Sequence, residues 1–348
     1  RANVKNIKLL ASALTAAALL TTTSASAQID FSTITSAENL ASTAELRTAS
    51  SLSQIYDTHV VGIHNGELGV VLGGPSFNDY YALIDFSGAS PSASLTVSFD
   101  DNDNDNDTRY STELGFGNGT VYLSDYTEPG TNESAIVSIT ATGTYTEEIV
   151  GTEPAGVASL AAVDANTVLY ITEDNFGGTQ SYGVLDLSAD TVNEKGTLTG
   201  VPDALAWDGT SAFIMTDASD IIRVDGILGS SPTTTDVTPS GWSGLNFSSL
   251  ILGPNGEFIV NDPDNSQFRV WDGSTETTIA YSAIESAGSL TTGIIDPVNN
   301  SGFFGNLADS TTFDLYISNY GSGEDLLDAA LVKVTFTGTT NVNDWNLY

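Results

Sequence analysis

The chain has 348 residues, with 44 acidic side chains, nine basic ones and two histidines, so its formal net charge is −35 at pH 7. Hydrophobic residues make up 40% of it, enough to fill a core, and this composition excludes a wholly disordered chain. The absence of cysteine excludes disulfides and thiolate metal sites, and the negative charge makes nucleic acid an unsuitable partner.

Residues 1–27 have the pattern of a secretory signal peptide. Lys5 and Lys8 precede an apolar run over residues 9–20, and Ala25-Ser26-Ala27 follows as a small-residue cleavage signal. The run is shorter than the ~20 residues that a membrane-spanning helix needs, so we expect no membrane span. The pattern predicts cleavage after Ala27 and a secreted, periplasmic or extracellular protein. The form of this signal and the lack of cysteine favour a bacterial source.

Cleavage at this point would remove three basic residues and no acidic one, leaving six basic and 44 acidic side chains and a net charge of −38. Residues 28–58 then form an N-terminal segment that is poor in aromatic residues. Within it, residues 41–52 are compatible with a short helix or with an edge strand. We expect this segment to contribute a strand to the main domain.

Residues 59–348 contain an internal repeat with a period of roughly 45–55 residues. Each unit has a short apolar strand, a tight Gly/Asn/Asp turn, a second apolar strand ending in Asp or Asn, and a third strand after a loop. The turns supply the positive φ angles that hairpins require. The first two strands of the six units lie within residues 60–72, 113–125, 160–174, 204–217, 249–262 and 293–319.

These repeats predict an all-β fold, because their strands are rich in Val, Ile, Tyr and Phe. A small sheet repeated six times buries both of its faces when the sheets pack radially. We therefore predict one six-bladed β-propeller of four-stranded antiparallel blades over residues 59–348. A seven-bladed ring that uses residues 28–58, and a long β-sandwich, are the alternatives. Pairing of residues 28–58 with the tail at 341–348 would close the ring.

Two units, residues 203–226 and 250–273, resemble the NHL-repeat and gluconolactonase-like propeller superfamily. Each has an apolar strand, an Asp- or Gly-rich turn, a second strand ending in Asp, a polar loop and a third strand ending in Val-x-Asp or Val-Trp-Asp. The other units match more loosely. The resemblance implies the fold and no particular activity, because such folds host scaffolds, binding proteins and enzymes.

The sequence departs from the enzymes of that superfamily. Calcium-dependent lactonases bring a Glu, an Asn and an Asp together at the axis, and no distinctive motif here carries such a set. Zinc-dependent lyases need several histidines, whereas this chain has only His59 and His64. The segments typical of propeller phytases are missing, and the nearest string, residues 174–177, lacks the phosphate-binding arginine.

The candidate metal site is the acidic run at residues 100–107, where aspartates alternate with asparagines. This spacing points several oxygens at one Ca²⁺. In an EF-hand register the twelfth position is Thr112, with Glu113 one residue late, so a simpler calcium loop is the better description. A solvated acidic linker between blades is the other interpretation. The predicted ligands are Asp101, Asp103, Asp105 and Asp107.

A second set of acceptors recurs at the ends of the second strands: Asp125, Asp174, Asp217, Asp262 and Asn319. We predict that these side chains accept hydrogen bonds from the backbone of the following turn. The alternative is a ring of acceptors for a cation or a sugar at one mouth of the propeller.

His59 and His64 are five residues apart on a strand, so their side chains are predicted to lie on opposite faces and not to share a metal. The sequence contains no Gly-x-Ser-x-Gly motif, the motif that would indicate a serine hydrolase. Trp207 and Trp271 are predicted to lie in the core. Trp242, in a Pro-Ser-Gly-Trp loop, is the candidate for an exposed ring that stacks on a sugar.

The sequence favours an exported acidic propeller that acts as a binding or surface-associated module, with Ca²⁺ as a candidate stabilising ion. Its partner would be a small molecule, a glycan or a protein. The alternative is a calcium-dependent hydrolase, of the lactonase or phosphoesterase type, with its site at the propeller axis.

Overall fold

A computed structural model of the chain describes residues 28–74, 79–99, 120–124, 136–148, 157–172, 180–297, 303–309, 311–319 and 330–339. The predicted leader, the Asp-rich loop at 100–107 and the tail at 341–348 lie outside these ranges. Within them the chain forms 23 strands and two short helices, and the strands assemble into six separate sheets.

The described chain starts with strand β1 and helix α1, and the first three blades follow. β1 is Gln28–Ala41 and α1 is Thr43–Ser50. Blade 1 contains β2 (Asp57–His64), β3 (Glu67–Gly73), β4 (Asp79–Asp85) and β5 (Ser92–Phe99). Blade 2 shows β6 (Val121–Ser124), β7 (Ile136–Ile139) and β8 (Tyr145–Glu148). Blade 3 contains β9 (Val157–Asp164), β10 (Thr167–Thr172), β11 (Ser181–Asp186) and β12 (Thr191–Thr197).

The last three blades have the same order of strands. Blade 4 contains β13 (Pro202–Trp207), β14 (Ser211–Thr216), β15 (Ile221–Asp225) and β16 (Thr233–Asp236). Blade 5 contains β17 (Ser248–Leu252), β18 (Phe258–Asp262), β19 (Gln267–Trp271) and β20 (Glu276–Ala280), and helix α2 (Tyr281–Gly288) follows it. Blade 6 contains β21 (Phe303–Asp309), β22 (Thr312–Ser318) and β23 (Leu331–Thr339).

The sheets stand in a ring. The first strands of successive blades touch one another in order, β9 with β13, β13 with β17, β17 with β21 and β21 with β2, so they surround a common axis. Every described strand pair is antiparallel. The prediction of a six-bladed β-propeller is confirmed, and the seven-bladed ring and the β-sandwich are wrong. Among the described residues, no helix is both long and apolar enough to cross a membrane.

The ring closes in blade 6, where β1 pairs with β23 as the outermost strand. Helix α1 then leads to blade 1, and a capping box between Ser42 and Glu45 fixes its start. Its Leu46 is fully buried against the core of blade 1. A second link crosses the same junction, because the buried Ser318 hydroxyl of blade 6 accepts a hydrogen bond of 2.8 Å from the Val60 N–H of blade 1.

Aromatic rings in blade 3 lie over glycines of the neighbouring strand. A Cβ atom at Gly183 would lie 2.6 Å from both the Tyr170 hydroxyl and the Asn193 carbonyl oxygen, and one at Gly196 would lie 2.6 Å from the Tyr182 hydroxyl. Only glycine leaves room for the rings at these positions. Burial raises the pKa of Tyr170 to about 12, so its hydroxyl stays protonated.

Six aspartates stabilise turns with one repeated motif, Asp-x-Ser/Thr. In each, the carboxylate accepts hydrogen bonds from both the backbone N–H and the hydroxyl of the residue two positions later. These hydrogen bonds hold the pKa of each aspartate below its usual value. We call them the turn aspartates: Asp30, Asp85, Asp186, Asp236, Asp272 and Asp309.

Candidate functional site

The two faces of the ring differ in the strand ends that they carry. At one face, which we call the upper face, the first strand of each blade begins and the second strand ends, as the pairing of Asp57 with Gly73 and of Ser248 with Asn261 shows. The lower face carries the turns between first and second strands. Because the first strands surround the axis, their starts form the axial mouth of the upper face.

Bulges interrupt three first strands at this mouth. In β9, β13 and β17 the second residue of the strand is an extra one, without a partner on the neighbouring strand. The three bulge residues are Ala158, Asp203 and Ser249. Bulges at rims change the direction of a side chain and occur often beside functional sites. The repetition of one bulge in three consecutive blades therefore marks this mouth as the candidate site.

Both the backbone conformation and the side-chain environment of Ser249 are energetically unfavourable. Its backbone has φ of 63°, in the left-handed region that residues with a side chain rarely adopt. Its side chain is 95% buried, and the hydroxyl alone among the buried side-chain polar atoms of the described residues has no hydrogen-bond partner. Both features cost stability, and such costs concentrate at functional positions.

Asp203 is the acidic member of the three bulge residues. It is half-buried between Pro202 and Ala204, which are both buried. Ala158 contributes only a methyl group. Of the three bulge residues, Asp203 therefore carries the one carboxylate and Ser249 the one hydroxyl.

A chain of hydrogen bonds supports the bulge of blade 5. The Tyr281 hydroxyl donates to the Asn261 side-chain oxygen, and the Asn261 amide nitrogen donates to the Ser248 hydroxyl over 2.9 Å. Burial, followed by the charges of Asp262 and Asp296, raises the pKa of Tyr281, so it remains a donor. This chain holds Ser248, the residue directly before Ser249, in place.

The predicted acceptors at second-strand ends have different surroundings. Asp262 is almost fully buried, and its donors are side chains: Arg269 at 2.6 Å and Asn265 and Gln267 at 3.0 Å. Burial would raise the pKa of Asp262, but the hydrogen bonds outweigh it and lower the pKa. The side-chain oxygen of Asn319 accepts from a backbone N–H, but from distant Asp296 rather than from the following turn.

Asp217 is exposed. Asp125 and Asp174 lie outside the described residues, as do the predicted calcium ligands Asp101, Asp103, Asp105 and Asp107. Within the described ranges, His, Asp and Glu side chains form no group of three or more that could hold a metal ion.

The prediction for the histidines is wrong in one respect. A bulge after Val60 adds a residue to β2, so that His59 and His64 pair with Val71 and Glu67, four residues apart on β3. The two histidines therefore share one face of the sheet. They remain about 13 Å apart along the strand, too far to bind one metal ion.

The prediction that Trp242 is exposed is also wrong. Its side chain is fully buried, its ring packs edge-on against Phe247 with centroids 5.1 Å apart, and its indole N–H donates to the carboxylate of Glu276. Trp207 and Trp271 are half-buried against cores of their blades. Stacking of a sugar on Trp242 is therefore not possible.

A cleft of about 320 Å³ lies on the lower face, at the opposite end of the blade 5 strands from the bulge at Ser249. We call it the lower cleft. It is bounded by residues 28–32 of β1 on one side and by Glu257, Val270, Asp272 and Thr277 of blade 5 on the other.

Comparisons with known proteins bear on the fold. No protein-family model and no curated protein matches the chain. A gluconolactonase from Xanthomonas campestris is similar over 82% of this chain and 88% of its own, with 8% identity and a TM-score of 0.52. A luciferin-regenerating enzyme is similar over 88% and 95%, with 12% identity and a TM-score of 0.53. A virginiamycin B lyase from Staphylococcus aureus is similar over 82% of this chain and 96% of its own, with 12% identity and a TM-score of 0.47.

What the first two proteins share with this chain is the fold. Identities this low carry neither their activities nor their site residues to it. The propeller architecture that the resemblance of residues 203–226 and 250–273 implies is thereby confirmed.

Proposed function

We propose that this chain is an exported binding module whose ligand enters the axial mouth of the upper face and binds beside the bulge residues Asp203 and Ser249. The observation that carries the proposal is the state of Ser249, which combines a left-handed backbone with a buried, unpartnered hydroxyl. A fold keeps such a costly residue where binding gains from it. The bulges of the two neighbouring blades support the same location.

The chemistry of the mouth favours an uncharged or cationic organic ligand with hydroxyl or amine groups. Asp203 accepts hydrogen bonds from such donors, and a serine hydroxyl both donates and accepts. The net charge of −35 disfavours anions. A small molecule or a glycan fits this description.

A calcium-dependent hydrolase is the second candidate, and the position of Asp203 at the axis favours it. A Ca²⁺ ion takes six to eight oxygen ligands, whereas the three bulge residues offer two oxygen-bearing side chains. Calcium at the predicted loop ligands Asp101–Asp107 would then stabilise the protein rather than serve catalysis. Turnover of lactone or phosphoester substrates that requires added calcium and is lost in Asp203→Asn would favour the hydrolase over the binding module.

The binding proposal is tested by screening monosaccharides, polyols and amino sugars with ligand-observed NMR. We expect a compound whose binding is weakened at least tenfold by Asp203→Asn and by Ser249→Ala. Asp208→Asn is the matched control, because it neutralises an exposed carboxylate of the same blade at the lower face, in the turn between β13 and β14. Equal binding by all three variants would contradict the assignment of the site.

Export is tested separately, by expressing the full sequence in a bacterial host and sequencing the N-terminus of the protein outside the cytoplasm. We expect the exported chain to begin at Gln28. Retention of the whole protein inside the cell would contradict export and would leave the binding test unaffected.

A further inference from the structure

The lower cleft exists because β1 leaves its regular register at its start. Ile29 pairs with Gly338 and Ile34 with Phe336, so several residues of β1 bulge out over one position of β23. In this bulge Phe31 turns inward and packs on Phe313 and Phe336, with ring centroids 5.4 and 5.3 Å apart. Its neighbours are left at the surface, where they form one wall of the cleft.

The cleft is negatively charged on both sides. Asp30 lies on the β1 wall, and Glu257 and Asp272 lie on the wall of blade 5. None of the described residues that line the cleft is basic. Glu257 is 97% buried, and among the described residues its carboxylate accepts hydrogen bonds only from Asn255, two positions earlier, at 2.8 and 3.0 Å. A buried carboxylate is costly without a positive partner.

Gln28 is itself part of the cleft wall. We infer that the α-ammonium group created at Gln28 by removal of the leader is the counter-charge of this cleft. The inference rests on the export half of the proposed function. The group that binds in the lower cleft would then be the N-terminus of the same chain. Because β1 is the strand that closes the ring, removal of the leader would also stabilise the closed ring.

The sign of the pH dependence follows from the charges. A free α-amino group has a pKa of about 7.7–8.0, and the negative charges of the three carboxylate residues that line the cleft, one from β1 and two from blade 5, raise it. The stabilisation is therefore complete below about pH 7.7 and is lost as the pH rises through the raised value in the folded chain.

The test uses two chains made from fusions by proteases that leave defined ends. One begins at Gln28, and the other keeps Ser24-Ala25-Ser26-Ala27 in front of it, so that its ammonium group is displaced from the cleft. Because the protease creates both ends, the result does not depend on what the leader does in a cell. We expect the first chain to melt higher by about 1–2 °C at neutral pH, and the difference to disappear near pH 10.

The pKa of the α-amino group is measured directly by carbon-13 NMR after reductive methylation. We expect a value at least one unit above 8 in the chain that begins at Gln28. Asp272→Asn should lower this pKa. Asp85→Asn is the matched control, because it removes the same kind of turn carboxylate far from the cleft and should leave the pKa unchanged.

Two results would overturn the inference. One is equal melting of the two chains together with an α-amino pKa of 8 or below. The other is a mass for the first chain that is lower by one ammonia, which would show that the amine had attacked the Gln28 side-chain amide and formed a lactam. Failure of export in the cell would refute the proposed function alone.

Discussion

Replacing Ser249 by glycine should stabilise the protein, although it deletes a buried side chain. The left-handed backbone of a residue with a Cβ costs about 1–2 kcal/mol, and the buried hydroxyl without a partner costs about 1–3 kcal/mol. Glycine removes both costs. It adds about 0.5–1 kcal/mol of unfavourable backbone entropy and loses some packing.

The balance is a gain of about 1–3 kcal/mol, which corresponds to roughly 2–4 °C in melting temperature for a chain of this size. The protein offers two internal controls with the same left-handed backbone, Ser266 at φ of 51° and Ser219 at φ of 60°. Ser266 is exposed, so Ser266→Gly relieves the backbone alone. Ser219 is fully buried, and its hydroxyl bonds with Leu245 and Phe247 at 3.0 Å.

Urea unfolding followed by circular dichroism measures all three variants. We expect Ser249→Gly to stabilise most, Ser266→Gly to stabilise slightly or not at all, and Ser219→Gly to destabilise, because it breaks two buried hydrogen bonds. A Ser249→Gly protein no more stable than Ser266→Gly would refute the reasoning. Under the proposed function, the stabilised variant should also bind its ligand more weakly.

Other predictions concern the ring and its turns. Gly183→Ala should lower the free energy of unfolding by about 1–3 kcal/mol in urea, whereas Gly88→Ala, whose Cβ would meet its nearest atom at 3.4 Å, should be near neutral. Ser318→Ala leaves the Val60 N–H buried without its acceptor, and we expect a loss of about 1–3 kcal/mol; an unchanged midpoint would contradict this role. Because the turn aspartates have lowered pKa values in the folded chain, their stabilisation is present above about pH 4 and is lost as the pH falls through those values. Melting curves over this range should show it, and Asp272→Asn should flatten the dependence.

The architecture was predictable from the sequence because its information is local. Turn residues such as Asn65-Gly66 carry the positive φ angles that the hairpins need, and the structure has φ of 50° and 87° there. The alternation of apolar strands and such turns repeats roughly every 45–55 residues, and the number of blades follows from counting the repeats. The resemblance of two repeat units to known propellers predicts the same fold.

The candidate site was not predictable in this way, because it depends on register. A bulge moves every later side chain of the strand to the opposite face of the sheet. The composition of β2 gives no signal that a bulge is present. For this reason the face of His64 was wrong, and Ser249 was not singled out.

Trp242 was misplaced for a related reason. Its loop has the glycine and proline of an exposed turn, but the ring finds a distant acceptor in Glu276 and a partner in Phe247. Such contacts join segments far apart in sequence, and local composition does not encode them.

The pairing of β1 with β23 has a consequence for how the protein folds. Gln28 pairs with Thr339, so the last blade cannot form until almost the whole chain has been made. Joining residues so distant in sequence is entropically slow. A chain that is synthesised from its N-terminus would therefore keep an incomplete ring until synthesis is almost finished. Its final fold would be reached only after the C-terminal strand has paired with β1.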